Sequence, residues 1–160
     1  MAEHIGYVTI FPLLLTLLDP YEHEFELRCL MEIMRDRKKL WSNHGLRSLS
    51  AHDLFYRQAN APGDEPYWRG AIWMPINFLA LRALKHYAAH PNAPAAIAKQ
   101  AASLYAELRE NLLNTCIGEW DRTGSIWEHY DDVGGRGLRS HPFTGWTALV
   151  LNVMSEKYSV

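Results

Sequence analysis

The sequence predicts an all-α protein, and three observations support that class. Five segments carry apolar residues at helical spacing, with Gly, Pro, Asn or Asp at or near their ends. No stretch alternates apolar and polar residues for long enough to indicate a half-buried strand. Hydrophobic residues make up 48% of the 160 residues and charged residues 21%, so a buried core is expected. The length suits a single domain, residues 1–160, or part of a larger one.

The first two predicted helices cover residues 5–18 and 20–35. The first is apolar nearly all round, which is typical of a buried core helix, and it is too short to span a membrane. Pro12 is expected to kink it, because proline has no backbone N–H to donate. The start Met-Ala-Glu-His lacks the cationic region of a signal peptide. Asp19 and Pro20 then form a strong helix start.

A long segment without clean periodicity, residues 40–70, follows the second helix. It is rich in aromatic residues and arginines, namely Trp41, Arg47, Phe55, Tyr56, Tyr67, Trp68 and Arg69. A loop of this length inside a compact domain is usually functional. A linker between domains would carry fewer aromatic residues. We therefore expect this loop to take part in function.

Three further helices are predicted near residues 74–89, 94–120 and 146–157. Asn77 lies near the apolar face of the first, where a buried amide either finds partners in the core or binds a ligand. The second has one apolar and one polar face, which is typical of an outer helix. Its exposed residues should include Lys99, Glu107 and Arg109, and its apolar stripe runs through Leu104, Leu108 and Leu112 to Cys116 and Trp120.

The loop between the last two helices carries the strongest indication of chemistry. It reads GSIWEHYDDVGGRGLRSHPFTGW, with Glu128 placed among aromatic residues. Aromatic rings can stack on the apolar faces of a sugar, and a carboxyl group can move a proton or activate water. The alternative is a surface loop with buried aromatic anchors. We expect this loop to meet the 40–69 loop on one face, and Arg136 or Arg139 to keep Glu128 ionised.

Charge and cysteine content exclude several classes of function. The formal net charge is −2, which gives no attraction for nucleic acid. Cys29 and Cys116 lie in helical patterns and are expected to be buried free thiols, with a disulfide left open. Neither cysteine has the spacing of a zinc site, and we predict no metal or other cofactor.

Several stretches, taken together and in order, resemble one family. They are GYVTIFPLLL, LWSNHGLRSLS, PYWRGAIWMPINFLAL, GSIWEHYDD and HPFTGWTALVLNVMSE. They resemble the C-terminal part of the mannosyl-oligosaccharide glucosidases (processing α-glucosidase I) of glycoside hydrolase family 63, over essentially the whole chain. The resemblance implies about five of the twelve helices of an (α/α)6 barrel. It also implies inverting removal of the terminal α-1,2-linked glucose from the triglucosylated N-glycan precursor in the endoplasmic reticulum.

The resemblance also implies roles for individual residues. It implies that Glu128 is the general base. It also implies that six residues line the pocket: Arg47, Trp68, Arg69, Trp73, Phe143 and Trp146. The family's general acid is an aspartate in an upstream DDYPR-like motif, which this sequence does not contain. Asp131 and Asp132 lie in a different motif and are not assigned to that role. We expect the isolated chain to be weakly active or inactive.

The implied partners are the glucosylated N-glycan and the N-terminal part of the same enzyme. Contact with a membrane is expected only through an anchor that this sequence does not contain. Two alternatives stay open. One is a non-catalytic carbohydrate-binding or partner-dependent relative. The other is a different α,α-barrel hydrolase, such as a bacterial mannosylglycerate-type hydrolase; a trehalase is disfavoured because no QWD-type motif is present.

Overall fold

The computed structural model describes residues 4–158, and helices dominate its regular structure. The α-helices are α1 (Phe11–Leu14), α2 (Glu24–Arg35), α3 (Met74–Ala89), α4 (Ala95–Thr123) and α5 (Val150–Met154). Short 3-10 helices cover Tyr7–Ile10 and Trp146–Leu149. Over the described residues, the mainly helical class is therefore confirmed.

The long helices α3 and α4 form the centre of the fold and match the prediction most closely. Pro75 lies in the first turn of α3, where a missing N–H costs no helical hydrogen bond. Gly124 ends α4 in a left-handed conformation (φ 70°) and donates its N–H to the Trp120 carbonyl at 2.7 Å. These two helices share the largest interface between elements, α1 packs on α3, and α2 and α5 pack on α4.

The prediction of one helix over residues 5–18 is wrong. Only a 3-10 turn and the four-residue α1 form there. Pro12 falls in the first turn of α1, and Thr16 adopts a left-handed backbone (φ 53°) that ends the helix. The segment is also not buried on all sides, since Val8 and Leu17 are exposed. Its inner residues still contribute to the core, which includes Ile10, Leu13 and Leu14.

Two other predicted helices are shorter than expected. Asp19 accepts the N–H of Tyr21 at 2.9 Å as a cap should, but the residues after it form a turn and α2 begins only at Glu24. Residues 146–157 divide into a 3-10 helix and the five-residue α5. The predicted start of the second helix at Asp19 and Pro20 is therefore wrong, although its end at Arg35 is correct; for the last segment the start at residue 146 is correct and the length is not.

The surface of α4 follows the predicted pattern only in part. Its central leucines are buried, namely Leu104, Leu108 and Leu112. Lys99 is exposed, but Glu107 and Arg109 are half-buried. Glu107 pairs with Arg35 of α2 at 2.9 Å, and Arg109 donates to backbone carbonyls of α5. Trp120, expected on the apolar stripe, is 52% exposed.

Two β-hairpins depart from a purely helical architecture. Strand β1 (Trp41–Ser42) pairs antiparallel with β2 (Gly45–Leu46), and β3 (His129–Tyr130) with β4 (Gly137–Leu138). Each strand is two residues long, which is too short to produce an alternating sequence pattern. Ile72 forms isolated bridges to Arg47 and to Tyr130 and so joins the two hairpins.

Asn77 is a satisfied core amide, which settles the two alternatives left by the sequence. Its Oδ1 accepts the N–H of Leu46 at 2.7 Å. Its Nδ2 donates to the Trp73 carbonyl at 2.9 Å and to the Tyr7 hydroxyl at 3.1 Å. Asn77 therefore ties α3 to the first hairpin and to the N-terminal segment.

Candidate active site

The two long loops meet on one face of the helices, as predicted. The N–H of Ile72 donates to the Tyr130 carbonyl at 2.8 Å, and the N–H of Tyr130 donates to the Ile72 carbonyl at 3.1 Å. Beside this bridge, the Tyr67 hydroxyl of the first loop donates to Glu128 Oε1 of the second at 2.6 Å. Glu128 and the start of α3 therefore lie in one cluster, although they are far apart in sequence.

Glu128 is buried, with 7% of its surface exposed. Its N–H donates to the Ser140 carbonyl at 3.0 Å. Its carbonyl accepts the Trp146 indole N–H at 2.8 Å and the Thr147 hydroxyl at 3.2 Å. These bonds attach the backbone of Glu128 both to the far end of its own loop and to the start of the last helical segment.

The surroundings of Glu128 act on its pKa in opposite directions. Burial is the largest influence and raises the pKa of Glu128, because it disfavours the charged form. The hydrogen bond from the Tyr67 hydroxyl and the nearby polar groups of Ser140 favour the charged form, and together they bring the pKa of Glu128 below its ordinary value. The carboxylate is therefore ionised at neutral pH.

Neither Arg136 nor Arg139 pairs directly with Glu128, although Arg139 interacts with the Glu128 charge at longer range; the expectation that one of these arginines keeps Glu128 ionised stays a prediction. Arg136 lies 3.6 Å from the carboxylate of Glu119, and Arg139 pairs with Glu65 at 2.8 Å. Within residues 4–158, no arginine forms an ion pair with Glu128. The direct partner of the carboxylate is the Tyr67 hydroxyl, where the sequence favoured an arginine.

Aromatic rings form a stack beside Glu128. Trp68 lies parallel to Trp73 with centroids 3.8 Å apart, and Trp73 stacks on His129 at 4.4 Å. Trp73 is 0% exposed and forms the buried layer of the stack, so it can support the pocket from beneath; its role as a pocket residue stays a prediction. Trp68 is 43% exposed and forms the outer face. Burial lowers the pKa of His129, so that ring is neutral at pH 7.

Trp146 and Phe143 extend the aromatic surface. Trp146 is partly exposed and lies 5.8 Å from Trp73, ring centroid to centroid. The half-buried Phe143 lies 4.9 Å from Trp146 in a tilted arrangement. Trp146 is therefore beside Glu128, whereas Phe143 packs on Trp146 and also lines the apolar groove at the end of α4.

Arg47 braces the loops instead of facing an open pocket. Its Nε lies 2.5 Å from Asp132 Oδ2, and its NH1 donates to the carbonyls of Trp41 and Arg37. The Tyr56 hydroxyl donates to the same Asp132 oxygen at 2.5 Å. These contacts make Arg47 a buried ion pair that holds the loop, and its contact with a sugar stays a prediction.

Arg69 has a comparable bracing role. Its NH1 donates to the Ala59 carbonyl at 2.8 Å, and its guanidinium lies 5.2 Å from the centre of the Phe55 ring. The next residue, Gly70, has a left-handed backbone (φ 134°), and a Cβ there would lie 2.7 Å from the Tyr56 ring. The YWRG sequence is thus held by close packing, and contact of Arg69 with a sugar stays a prediction.

A separate cavity, which does not include Glu128 in its lining but shares Phe143 with the aromatic surface, lies nearby. It is an apolar groove of about 600 Å³ between the end of α4 and α5. Four large apolar side chains in its lining are at least 40% exposed, namely Ile117, Trp120, Leu151 and Met154. We refer to it as the α4–α5 groove. Apolar exposure of this extent marks an interaction surface in many proteins.

The part of the chain that the structure describes contains neither a candidate metal site nor a disulfide. No group of three or more His, Cys, Asp or Glu side chains within residues 4–158 is arranged to hold a metal ion. Cys29 and Cys116 are both free thiols; Cys116 is buried, as expected, whereas Cys29 is only half-buried.

The sequence did not identify Tyr67 as a partner of Glu128, or Tyr56 and Asp132 as a structural pair. Each pair is separated by more than 60 residues, so no local spacing signals the contact. The one usable signal was the density of tyrosine and tryptophan in the first loop, which indicated function without indicating roles.

Comparison with known proteins identifies the family. The model for the C-terminal domain of glycosyl hydrolase family 63 matches residues 1–156. The chain belongs to glycoside hydrolase family 63. The resemblance drawn from the five sequence stretches is thereby confirmed.

Curated relatives of this family-63 chain are much longer than it is. A probable mannosyl-oligosaccharide glucosidase of Schizosaccharomyces pombe is 43% identical over 155 residues, which cover 97% of this chain and 18% of that protein. Mannosyl-oligosaccharide glucosidase GCS1 of Arabidopsis thaliana is 37% identical over 160 residues, which cover 100% of this chain and 18% of that protein. The chain therefore spans less than a fifth of the length of these relatives.

A solved family-63 structure has a similar fold. The mannosylglycerate hydrolase from Thermus thermophilus matches with a TM-score of 0.58 and 21% identity, over 96% of this chain and 30% of that one. At this identity the likeness shows the fold alone. Among residues 4–158, none of the helices combines the length and apolar character that crossing a bilayer requires.

Proposed function

We propose that this family-63 chain supplies the general-base side of an inverting glycosidase site, with Glu128 as the base. The observation that carries the proposal is a buried carboxylate with a lowered pKa that accepts the Tyr67 hydroxyl, in an aromatic cluster whose outer ring is the partly exposed Trp68. The substrate would be the terminal α-1,2-linked glucose of the triglucosylated N-glycan precursor, in the endoplasmic reticulum. Both inferences rest on similarity to mannosyl-oligosaccharide glucosidases.

Inverting hydrolysis needs a base that is charged at working pH. Water attacks the anomeric carbon on the face opposite the leaving oxygen, and its proton passes to the base. The lowered pKa of Glu128 supports this role. The rings of Trp68, Trp146 and Phe143 would stack on the sugar faces.

The general acid is proposed to come from the rest of the catalytic domain. An inverting site places a second carboxyl group about 6.5–9.5 Å from the base, with room for a water molecule. Asp132 is engaged by Arg47 and Tyr56. Asp131 pairs with Arg57 at 2.7 Å and accepts N–H groups of its own turn. Neither aspartate is free to protonate a leaving group.

The remaining helices of an (α/α)6 barrel would cover the α4–α5 groove. The length of the relatives supports this occupant, because more than four-fifths of each lies outside the region that this chain matches. Trp120→Glu should then weaken association between this chain and the remainder of the S. pombe protein, measured by co-purification of the two parts. Lys99→Glu, on an exposed turn of α4, is the matched control. If both variants associated equally well, the proposal that the remaining helices cover the α4–α5 groove would be contradicted.

The direct test is a chimera in which this chain replaces the matching part of the S. pombe relative. Glu128→Gln preserves size and hydrogen bonding but cannot accept the proton. Turnover of an α-1,2-linked glucoside should fall about 100-fold or more, with sugar binding intact. Glu110→Gln, on the exposed side of α4, is the control and should retain activity. Near wild-type turnover of the Glu128 variant would place the base elsewhere.

Two other functions can be separated by simple assays. A non-catalytic sugar-binding role is favoured by the engagement of both Asp131 and Asp132, and it predicts that the 160-residue chain binds an α-1,2-linked glucose disaccharide without cleaving it. Trp68→Ala should weaken that binding. A mannosylglycerate-type activity would appear as preference of the chimera for mannosylglycerate over the glucoside.

A further inference from the structure

Tyr67 has contacts that fix both its position and its hydrogen bond. Its ring meets the buried Trp73 edge-on, with centroids 4.8 Å apart at 90°. The Arg139 guanidinium lies over the same ring at 4.5 Å, and Glu65 holds Arg139 at 2.8 Å. Residues from both loops therefore contact Tyr67 and fix the position of its ring.

The protonation state of Tyr67 suits a permanent donor. Its hydrogen bond to Glu128 is the largest influence and, with burial, raises the pKa of Tyr67 above its ordinary value. The phenol therefore stays protonated at any pH at which a glycosidase works. It can donate to Glu128 Oε1, 2.6 Å away, throughout a reaction cycle.

We propose that Tyr67 is a positioning residue for Glu128: it fixes the rotation of the carboxylate through Oε1 and favours the charged form of that carboxylate in a buried site. This inference rests on the proposed base role of Glu128. Without the phenol, burial would act on the carboxylate with less opposition, so the carboxylate would take up a proton at a higher pH and its orientation would be less fixed.

Tyr56 provides a matched comparison inside the same molecule. It also donates its hydroxyl to a buried carboxylate, Asp132, at 2.5 Å, but it does not contact Glu128. Removing the Tyr56 hydroxyl therefore deletes the same kind of bond from the neighbouring site. An effect specific to Tyr67 cannot be attributed to general loosening of the loops if the Tyr56 variant lacks it.

The test is a pH titration of the Glu128 carboxyl carbon by NMR in the 160-residue chain, with the signal assigned through Glu128→Gln. Tyr67→Phe should raise the midpoint by about one pH unit, the size expected for a hydrogen bond to a charged group. Tyr56→Phe should leave the Glu128 midpoint unchanged. An unchanged midpoint in a folded Tyr67→Phe chain would overturn the proposal.

A second variant keeps the test valid if Tyr67→Phe fails to fold. Replacing Tyr67 with 3-fluorotyrosine retains the ring and makes the phenol more acidic, so its hydrogen bond to the carboxylate strengthens. The Glu128 midpoint should then move down, opposite to the effect of phenylalanine. A midpoint that stays in place, or rises, contradicts the role of Tyr67.

The outcome is separable from that of the proposed function. The titration measures the coupling between Tyr67 and Glu128 without any sugar or any catalysis. If the midpoints move as predicted but the Glu128→Gln chimera stays active, the coupling stands and the base role fails. If the chimera loses activity but the midpoints do not move, the base role stands without Tyr67 as its positioning residue.

Discussion

Glu128 and Asp132 are buried carboxylates in the same loop, yet their surroundings differ. Each accepts a tyrosine hydroxyl from the first loop, at 2.6 Å for Glu128 and 2.5 Å for Asp132. Asp132 is also paired with Arg47, whereas Glu128 lies among aromatic rings. A carboxylate neutralised by a fixed cation mainly stabilises structure. One kept ionised by neutral donors retains a charge that can act on a substrate.

The comparison explains why charge alone is a poor guide to this site. Acidic and basic residues stand close together in the second loop, and the sequence cannot tell which of them pair. Only the long-range contacts distinguish the structural aspartate from the candidate base. The different partners of Asp132 and Glu128, together with those of a third buried carboxylate, lead to three predictions about stability.

The largest expected effect is at Asp132. Asp132→Asn leaves the Arg47 guanidinium without its carboxylate in a site where Asp132 is only 2% exposed at its side chain. Breaking a buried ion pair in this way should reduce the free energy of unfolding by about 3–5 kcal/mol. Urea denaturation of the 160-residue chain measures it. A loss below about 1 kcal/mol would mean that the pair is not structural.

The next effect concerns a third buried carboxylate, Glu119 of α4. Hydrogen bonds from Arg122 are the largest cause that lowers the pKa of Glu119, to about 2, with the N–H of Gly137 also contributing. Because this folded-state pKa lies below the ordinary value of 4.5, the stabilisation is present above about pH 4.5 and is lost as pH falls towards 2. Glu119→Gln should therefore flatten the fall of melting temperature between those pH values. If the melting temperature of the variant fell with pH as steeply as that of the unaltered chain, the stabilising role of ionised Glu119 would be contradicted.

The fold was predictable where local pattern determines structure. The long helices α3 and α4 follow from their apolar spacing and from Pro75 and Gly124 at their ends. The sequence predicts a kink at Pro12 but not the early end of the helix, because the left-handed turn at Thr16 carries no sequence signal. The hairpins were not predicted, because two-residue strands are too short to show an alternating pattern of apolar and polar residues.

The site was predictable only in outline. The aromatic density of both loops and the family resemblance were enough to place Glu128 and Trp68 in one cluster. They did not indicate that Trp73 is wholly buried or that Arg47 binds Asp132, because those facts depend on packing between segments distant in sequence. Arginine was expected beside Glu128 on charge grounds, and a tyrosine is found there instead.

The smallest expected effect on stability is at Glu128. Glu128→Gln keeps an oxygen that can accept the Tyr67 hydroxyl, and it leaves the backbone bonds to Ser140, Trp146 and Thr147 in place. The free energy of unfolding should change by about 1 kcal/mol or less. Urea denaturation of Glu128→Gln beside Asp132→Asn compares the two losses in the free energy of unfolding. Equal losses for the two variants would mean that both carboxylates are structural.

Azide rescue of Glu128→Ala tests the base role of Glu128 most directly, in the chimera with the S. pombe relative. Azide is already an anion and needs no base, so it can attack the anomeric carbon in the space that the carboxylate leaves. We predict a fall in glucoside turnover of about 100-fold or more without azide, and recovery with azide through formation of β-glucosyl azide, the inverted product. Near wild-type turnover without azide, or a folded variant that azide does not rescue, would contradict the assignment of Glu128 as the general base.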